Sequence, residues 1–351
     1  MKRFILLLVS FLALTSQSKS QTDSIVRAKI IDDGSQDAEK FYNSGISDFS
    51  TGNFANALKN FDQAILKRPD FERAYYNRGT TKLELKDHAG AMADFDKAIG
   101  LSPQADSHFG RAQAQHQTNN LTAAISDYST AIQLKPGYAQ AFYYRGGIKF
   151  EQGDYAGAEE DFTQAINAKP DYSYAYNDRG SAKRQQNKFD DAIADYTQAL
   201  NKEPGLAFVY NNRGSAKRKK GDFSGALDDY NEAIRIKPIY AEAYNNRGSA
   251  KMDLADVEGA IKDFSKAIEL RPNYALAYNN RATAKYKLKD YKSSAEDCTK
   301  AIQHSPDYGY AYLNRGIARE MLREDEAACA DWKKAIELGI ETAKNYSGDC
   351  R

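Results

Sequence analysis

The prolines of this chain recur at one phase of a fixed period. They are Pro69, Pro103, Pro136, Pro170, Pro204, Pro238, Pro272 and Pro306. Successive prolines are 34 residues apart, except for one interval of 33. Proline cannot continue the interior of a helix, because it lacks the backbone N–H and its ring clashes with the preceding turn. A period near 34 therefore predicts an all-α solenoid, built from one helix–turn–helix unit that is copied along the chain.

Small and aromatic residues recur within the same period. If the prolines are given position 32, repeat one begins at Ala38 and nine repeats extend to Thr342. Position 27 is alanine in all nine, position 8 is glycine or alanine, and positions 4 and 24 are each aromatic in eight. Small residues let two antiparallel helices approach closely, and the rings fill the space at their edges. We expect helix A over positions 2–14 and helix B over 16–30, with Asn or Asp at position 16 of seven repeats as the N-cap.

Two opposite charges appear and vanish together along the repeats. Position 7 is arginine and position 23 is aspartate in repeats two to nine, whereas repeat one has Ser44 and Asn60. We expect an ion pair between the two helices of one repeat, because pairing to the next repeat would leave Asp331 without a partner. The alternative is a row of arginines that binds phosphate or an acidic ligand. The arginines are Arg78, Arg111, Arg145, Arg179, Arg213, Arg247, Arg281 and Arg315, and the aspartates are Asp94, Asp127, Asp161, Asp195, Asp229, Asp263, Asp297 and Asp331.

The repeat pattern resembles the tetratricopeptide repeat (TPR) family over residues 38–342. The matching features are the small residues at positions 8, 20 and 27, the aromatic residues at 4, 17 and 24, and the proline at 32. The arginine at position 7 departs from the family, which usually has an apolar residue there. The resemblance implies a right-handed superhelix of helix pairs, with positions 2, 5, 6, 9, 12 and 13 of helix A facing a concave groove.

Asparagine recurs at two of these groove positions, mostly in the C-terminal half. It occupies position 6 in Asn43, Asn77, Asn212, Asn246, Asn280 and Asn314, and position 5 in Asn177, Asn211, Asn245 and Asn279. An asparagine side chain can pair with both the N–H and the C=O of an extended chain. The arrangement is similar to the asparagine ladder of O-linked N-acetylglucosamine transferases, which holds extended peptide backbone. The alternative is that these asparagines only solvate the groove or were copied by repeat duplication.

The N-terminal half carries aromatic residues at the same groove positions. They are Tyr42, Tyr76, Phe109, Tyr143 and Tyr144. Such rings suit apolar side chains, prolines or sugar rings. The alternative is that they pack against one another across repeats.

The sequence indicates a binding protein and not an enzyme. The residues carry no phosphate loop, nucleophile elbow or CxxC motif, and the four histidines lack metal-ligand spacing. We expect no cofactor and no metal. The net charge of +1 argues against a nucleic-acid partner.

No repeat has the Lys at position 5 and Asn at position 9 of the family's chaperone-tail clamp. We therefore expect a scaffold that binds an extended peptide or protein; the alternative is a carbohydrate-binding or envelope-assembly factor that uses the aromatic residues.

Residues 1–20 have the layout of a secretory signal peptide. Lys2 and Arg3 precede the apolar run 4–14, and cleavage is expected after Ser20. The apolar run is too short to span a bilayer, which needs about 20 residues. We expect an exported protein, periplasmic or extracellular, without a membrane span or a lipid-anchoring cysteine; an uncleaved anchor is the alternative. Residues 21–37 form a lead-in segment, and the tail 343–351 is a candidate cap.

The chain has three cysteines, Cys298, Cys329 and Cys350. Cys298 and Cys329 fall at helix-packing phases, so we expect them to be buried free thiols. A Cys329–Cys350 bridge that holds the tail is the alternative, since export permits disulfides.

Overall fold

The structure is a computed structural model that describes residues 36–348 and Cys350. This part of the chain contains eighteen α-helices in nine consecutive pairs and no strand. The first helices of the pairs are α1 Gln36–Ser50, α3 Glu72–Glu84, α5 Ala105–Gln117, α7 Ala139–Glu151, α9 Ser173–Gln185, α11 Ala207–Lys220, α13 Ala241–Asp253, α15 Ala275–Lys287 and α17 Gly309–Met321. The second helices are α2 Phe54–Lys67, α4 His88–Leu101, α6 Leu121–Leu134, α8 Tyr155–Ala168, α10 Phe189–Lys202, α12 Phe223–Ile236, α14 Val257–Leu270, α16 Tyr291–His304 and α18 Asp325–Glu337. The predicted signal peptide and all but the end of the lead-in lie outside the described residues.

The helices form two compact units that divide between Lys169 and Pro170. The first unit holds α1–α8, and the second holds α9–α18 followed by a 3-10 turn over Glu341–Asn345. Within each unit every helix packs against the next one along the chain. None of the helices in the described part is long and apolar enough to cross a membrane.

The close approach of paired helices depends on the recurring small residues. The alanines at position 27 are fully buried, and so are most of the aromatic residues at position 24. A Cβ atom added at Gly45 would lie 2.7 Å from the ring of Phe61 on the partner helix. A Cβ atom added at Gly316 would overlap the indole ring of Trp332. Position 8 must therefore stay small wherever a large ring stands opposite.

Aspartate at position 16 caps helix B, whereas asparagine at that position does not. The carboxylates of Asp87, Asp154, Asp222 and Asp256 each accept a hydrogen bond from the backbone N–H of the glycine three residues later. Asp290 accepts one from the N–H of Ser293. Asn53 and Asn120 make no side-chain cap bond. Helix B thus begins at position 17, one residue later than expected, because position 16 is the cap itself.

The expectation that Cys329 is a free thiol is wrong. Cys329 and Cys350 form a disulfide, with their Cα atoms 5.5 Å apart. Cys298 is free and buried, as expected, and burial raises the pKa of its thiol to about 12. The tail that carries Cys350 packs on the last repeat.

The packing of the tail follows the register of a tenth repeat. Ala343, at what would be position 1, is fully buried. Tyr346, at what would be position 4, has its ring centroid 5.6 Å from that of Trp332. The tail therefore covers the helix α18 edge on which a further helix A would stack.

Candidate functional site

The eight arginines at position 7 bind the eight aspartates at position 23 of the same repeat, which confirms the expected pairing. In Arg247, for example, Nη2 donates to Asp263 Oδ1 at 2.6 Å and Nε donates to Oδ2 at 2.9 Å. The other pairs have the same two-point contact. The carboxylates are buried, so this bidentate contact compensates the cost of taking them out of water.

A second cation binds most of these carboxylates, and this ion pair was not predicted from the sequence. A lysine at position 11 places Nζ 2.7–2.9 Å from the carboxylate oxygen, and Arg319 does the same in repeat nine. The lysines are Lys82, Lys149, Lys183, Lys217, Lys251 and Lys285. The recurrence of a basic residue one helical turn after the arginine was the available signal.

In repeat three the second partner of the buried aspartate is a histidine instead of a lysine. This repeat has Gln115 at position 11, and His108 at position 4 takes over, with Nδ1 2.9 Å from Asp127 Oδ1. Burial would raise the pKa of the Asp127 carboxyl, but the hydrogen bonds from Arg111 and His108 outweigh burial and lower it. The exceptional His108 at an otherwise aromatic position is thus explained by the missing lysine.

The third guanidinium nitrogen of these arginines crosses to the preceding repeat. Nη1 of Arg78 binds Asp62, that of Arg247 binds Asn231, and that of Arg315 binds Thr299. Arg145, Arg213 and Arg281 reach Ser129, Thr197 and Ser265 in the same way. Because Nε, Nη1 and Nη2 all have partners within the fold, the row is structural and leaves little for a phosphate or acidic ligand.

The asparagines of the second unit bind one another between neighbouring repeats. The position-6 amide nitrogen donates to the position-5 carbonyl oxygen 35 residues earlier, at 2.9–3.1 Å. The four bonds are Asn212 to Asn177, Asn246 to Asn211, Asn280 to Asn245 and Asn314 to Asn279. We call these eight residues the asparagine ladder. Its position-5 members are buried, whereas its position-6 members are half-buried.

The hydrogen bonds of the ladder hold the half-buried position-6 amides in place. Each position-6 side chain uses one N–H to reach the repeat before it. In Asn212, Asn280 and Asn314, the carbonyl oxygen has no hydrogen-bond partner among the described residues. A row of anchored amides with spare acceptors and donors can pair with an extended backbone without first losing side-chain freedom.

The two predicted asparagines of the first unit lie in different surroundings. Asn77 is buried and donates to the Tyr42 hydroxyl at 3.0 Å, while its own carbonyl oxygen is buried without a partner. Asn43 is half-buried on α1. In repeat five, Asp178 stands at position 6 and its carboxylate accepts from Asn177 at 2.8 Å. The continuous ladder is therefore confined to the second unit.

The aromatic residues of the first unit are partly consumed by packing. Tyr42 and Tyr143 are buried, and Tyr76, Phe109 and Tyr144 are half-buried. The Tyr42 ring lies 4.9 Å from Phe71, and that of Tyr143 lies 5.7 Å from Phe162. Burial raises the pKa of the Tyr76 hydroxyl.

Phe109 and Tyr144 belong to one cluster of rings in the first unit. The Phe109 centroid lies 5.0 Å from that of Tyr138 and 5.7 Å from that of Tyr144. Tyr144 in turn stacks on Tyr128 at 6.1 Å. Since these faces contact other rings of the fold, less ring surface is left for a ligand than the sequence pattern suggested.

In the part of the chain that the structure describes, no group of histidine, cysteine, aspartate or glutamate side chains could hold a metal ion.

Family models match most of the helical region. The model described as tetratricopeptide repeat matches residues 42–106 and 145–207, and related models of the same repeat match 105–138, 241–274 and 275–308. A model described as TPR repeat matches residues 214–255. The chain belongs to the tetratricopeptide repeat family. No curated protein sequence matches it.

Solved TPR-type structures share the fold at low sequence identity. The APC/C hetero-tetramer Cut9-Hcn1 is 14% identical, with a TM-score of 0.58 over 96% of this chain and 81% of that one. A tetratricopeptide repeat protein from Parabacteroides merdae is 19% identical, with a TM-score of 0.53 over 71% and 99%. Pseudomonas aeruginosa pilF is 19% identical, with a TM-score of 0.53 over 60% and 97%. At these identities the likeness concerns the fold alone. The family is, in general, one of scaffolds for protein interactions and is typically non-catalytic.

Proposed function

We propose that this protein is an exported, non-enzymatic scaffold that holds an extended segment of a partner protein on the asparagine ladder of its second unit. The ladder carries the proposal, because four consecutive repeats present an anchored, half-exposed amide at one position. Export rests on the composition of residues 1–20. The chemistry that the ladder offers is pairing with backbone N–H and C=O groups, which all sequences share.

The length of the bound segment follows from the repeat geometry. Stacked helices lie about 10 Å apart, and an extended chain rises about 3.3 Å per residue, so one repeat spans about three ligand residues. The run from Asn212 to Asn314 then accommodates a segment of about ten residues. Glycan binding by Tyr42, Tyr76, Phe109, Tyr143 and Tyr144 has weaker support, because their faces pack within the fold.

Affinity capture from the envelope extract of the source organism tests the proposal. The wild-type protein is compared with a variant carrying Asn212→Ala, Asn246→Ala and Asn280→Ala. We expect a partner, identified by mass spectrometry, to be enriched by the wild type and lost from the variant, with helical circular dichroism retained. Each substitution also leaves a buried carbonyl oxygen without its donor, at a cost of about 1 kcal/mol, so the variant is assayed well below its unfolding temperature.

The matched control removes three exposed asparagines that lie outside helix A, through Asn167→Ala, Asn201→Ala and Asn273→Ala. This control should capture the same partner as the wild type. Equal capture by all three proteins would remove the ladder from the mechanism.

A further inference from the structure

Two neighbouring repeats of the second unit carry an arginine at position 12 of helix A. They are Arg184 on α9 and Arg218 on α11. The other repeats have Phe49, Leu83, His116, Phe150, Met252, Tyr286 and Glu320 at that position. The same two repeats are also the ones that combine serine at position 9 with tyrosine at position 24. Repeats five and six, in which the ladder begins, thus share a set of three polar residues, two on helix A and one on helix B.

These residues meet in two adjoining clusters. The Tyr196 hydroxyl lies 3.1 Å from Ser181 Oγ, and the nearby Arg184 opposes the rise that burial causes in the pKa of Tyr196. The Tyr230 hydroxyl donates to Ser215 Oγ at 3.2 Å. Burial raises the pKa of Tyr230, and both Arg218 and Arg184 oppose this rise. Each of the two repeats thus pairs a tyrosine hydroxyl with a serine hydroxyl, and the arginines at position 12 are close enough to act on these tyrosines.

Unlike the position-7 row, these two arginines keep unused donors. Arg218 pairs with Asp253 through Nε alone, and its side chain is 34% exposed. Arg184 has no carboxylate partner in the described part of the chain, and its Nε is buried without a hydrogen-bond partner. A buried donor without an acceptor is costly, so the spare donors of these two arginines favour an anionic partner.

We propose that Arg184 and Arg218 form a subsite for a carboxylate side chain of the extended partner. This assignment rests on the proposed function, because the subsite adjoins the ladder and would select among segments that the ladder holds. The forked guanidinium group matches a carboxylate with two parallel hydrogen bonds. The acidic residue would lie about nine residues from the part of the segment bound at Asn314, at about three residues per repeat.

A displayed library of random peptides about ten residues long, the length that the ladder spans, tests the subsite. The library is selected on the wild type, and the enriched peptides are measured against Arg184→Gln/Arg218→Gln. We expect enrichment of Asp or Glu at one register and a loss of affinity of about tenfold or more in the variant, since hydrogen bonds to charged groups are the stronger kind. Lys262→Gln/Lys300→Gln is the control, because it removes the same charge from exposed sites on helix B.

The outcomes separate this subsite from the function on which it rests. Acidic peptides that bind the control normally and the arginine variant weakly support the subsite. Peptides that bind the ladder without acidic preference, equally well in both variants, overturn the subsite and leave the scaffold function standing. A library from which the ladder enriches no peptide overturns both.

Discussion

At the residue scale, the aspartate at position 23 is the most constrained side chain of the repeat. It is buried in eight repeats and accepts from an arginine, and in most repeats from a second cation as well. The same arginine continues into the preceding repeat through Nη1. One carboxylate therefore links helix A to helix B and, through the arginine, one repeat to the next.

Asp263→Asn is expected to destabilise the second unit by about 3 kcal/mol, because it leaves Arg247 and Lys251 without a charged acceptor in a buried place. Urea denaturation followed by circular dichroism measures the effect. Glu269→Gln is the control, since it removes an exposed carboxylate that pairs with Lys266 three residues earlier and should leave the denaturation midpoint unchanged. Equal midpoints for the two variants would show that the buried pairs are not what holds the repeats together.

The arginine–aspartate pairs could be predicted from the sequence, because one repeat lacks both charges and serves as a comparison. Repeat one lacks both charges, so the partner of the position-7 arginine could be deduced from the sequence. The ladder contacts could not be deduced, because they join position 6 of one repeat to position 5 of the one before it. That diagonal depends on how adjacent repeats stack, which no spacing within one repeat reveals. The predicted N-cap bonds of Asn53 and Asn120 are wrong for a different reason. Asparagine is a residue type that can form such a bond, but in the structure these two side chains do not.

At the element scale, the last repeat is unlike the repeats before it. Position 25 carries a hydrogen-bond acceptor for the next arginine in most repeats, whereas repeat nine has Lys333 there. The tail then covers α18 with Ala343 and Tyr346 in place of a tenth helix A. The Cys329–Cys350 disulfide holds this cover. Sequence reasoning assigned the tail as a cap but placed Cys329 among the free thiols, because helix phase says nothing about a partner in an irregular segment.

Cys350→Ser is expected to release the tail and expose the chain's single tryptophan. Closing a loop of 21 residues contributes about 3 kcal/mol, so the loss should be of that size and confined to the last repeat. The fluorescence of Trp332 reports it directly, as a shift to longer wavelength when Tyr346 leaves the indole. Reductant should shift the wild type in the same way and leave the variant unchanged. Identical emission from oxidised, reduced and variant protein would contradict a disulfide-held cover.

At the scale of the whole molecule, one repeat design serves two different surfaces. The first unit fills position 5 with rings that pack within the fold, and the second fills positions 5 and 6 mostly with amides that bind one another. The all-α repeat fold followed from the proline period alone, since the period dictates the length of the unit. The division of the chain at Lys169 did not follow, because the repeat pattern continues unchanged across it.

The most direct test of the scaffold account is to observe the ladder amides while a partner segment binds. Protein labelled with nitrogen-15 at asparagine is titrated with the segment identified by capture, and the side-chain amide resonances are followed by nuclear magnetic resonance. The account predicts that the resonances of Asn212, Asn246, Asn280 and Asn314 shift together and saturate at one affinity, while that of exposed Asn167 on α8 stays in place. Saturable binding that leaves all four ladder resonances unmoved would contradict the account.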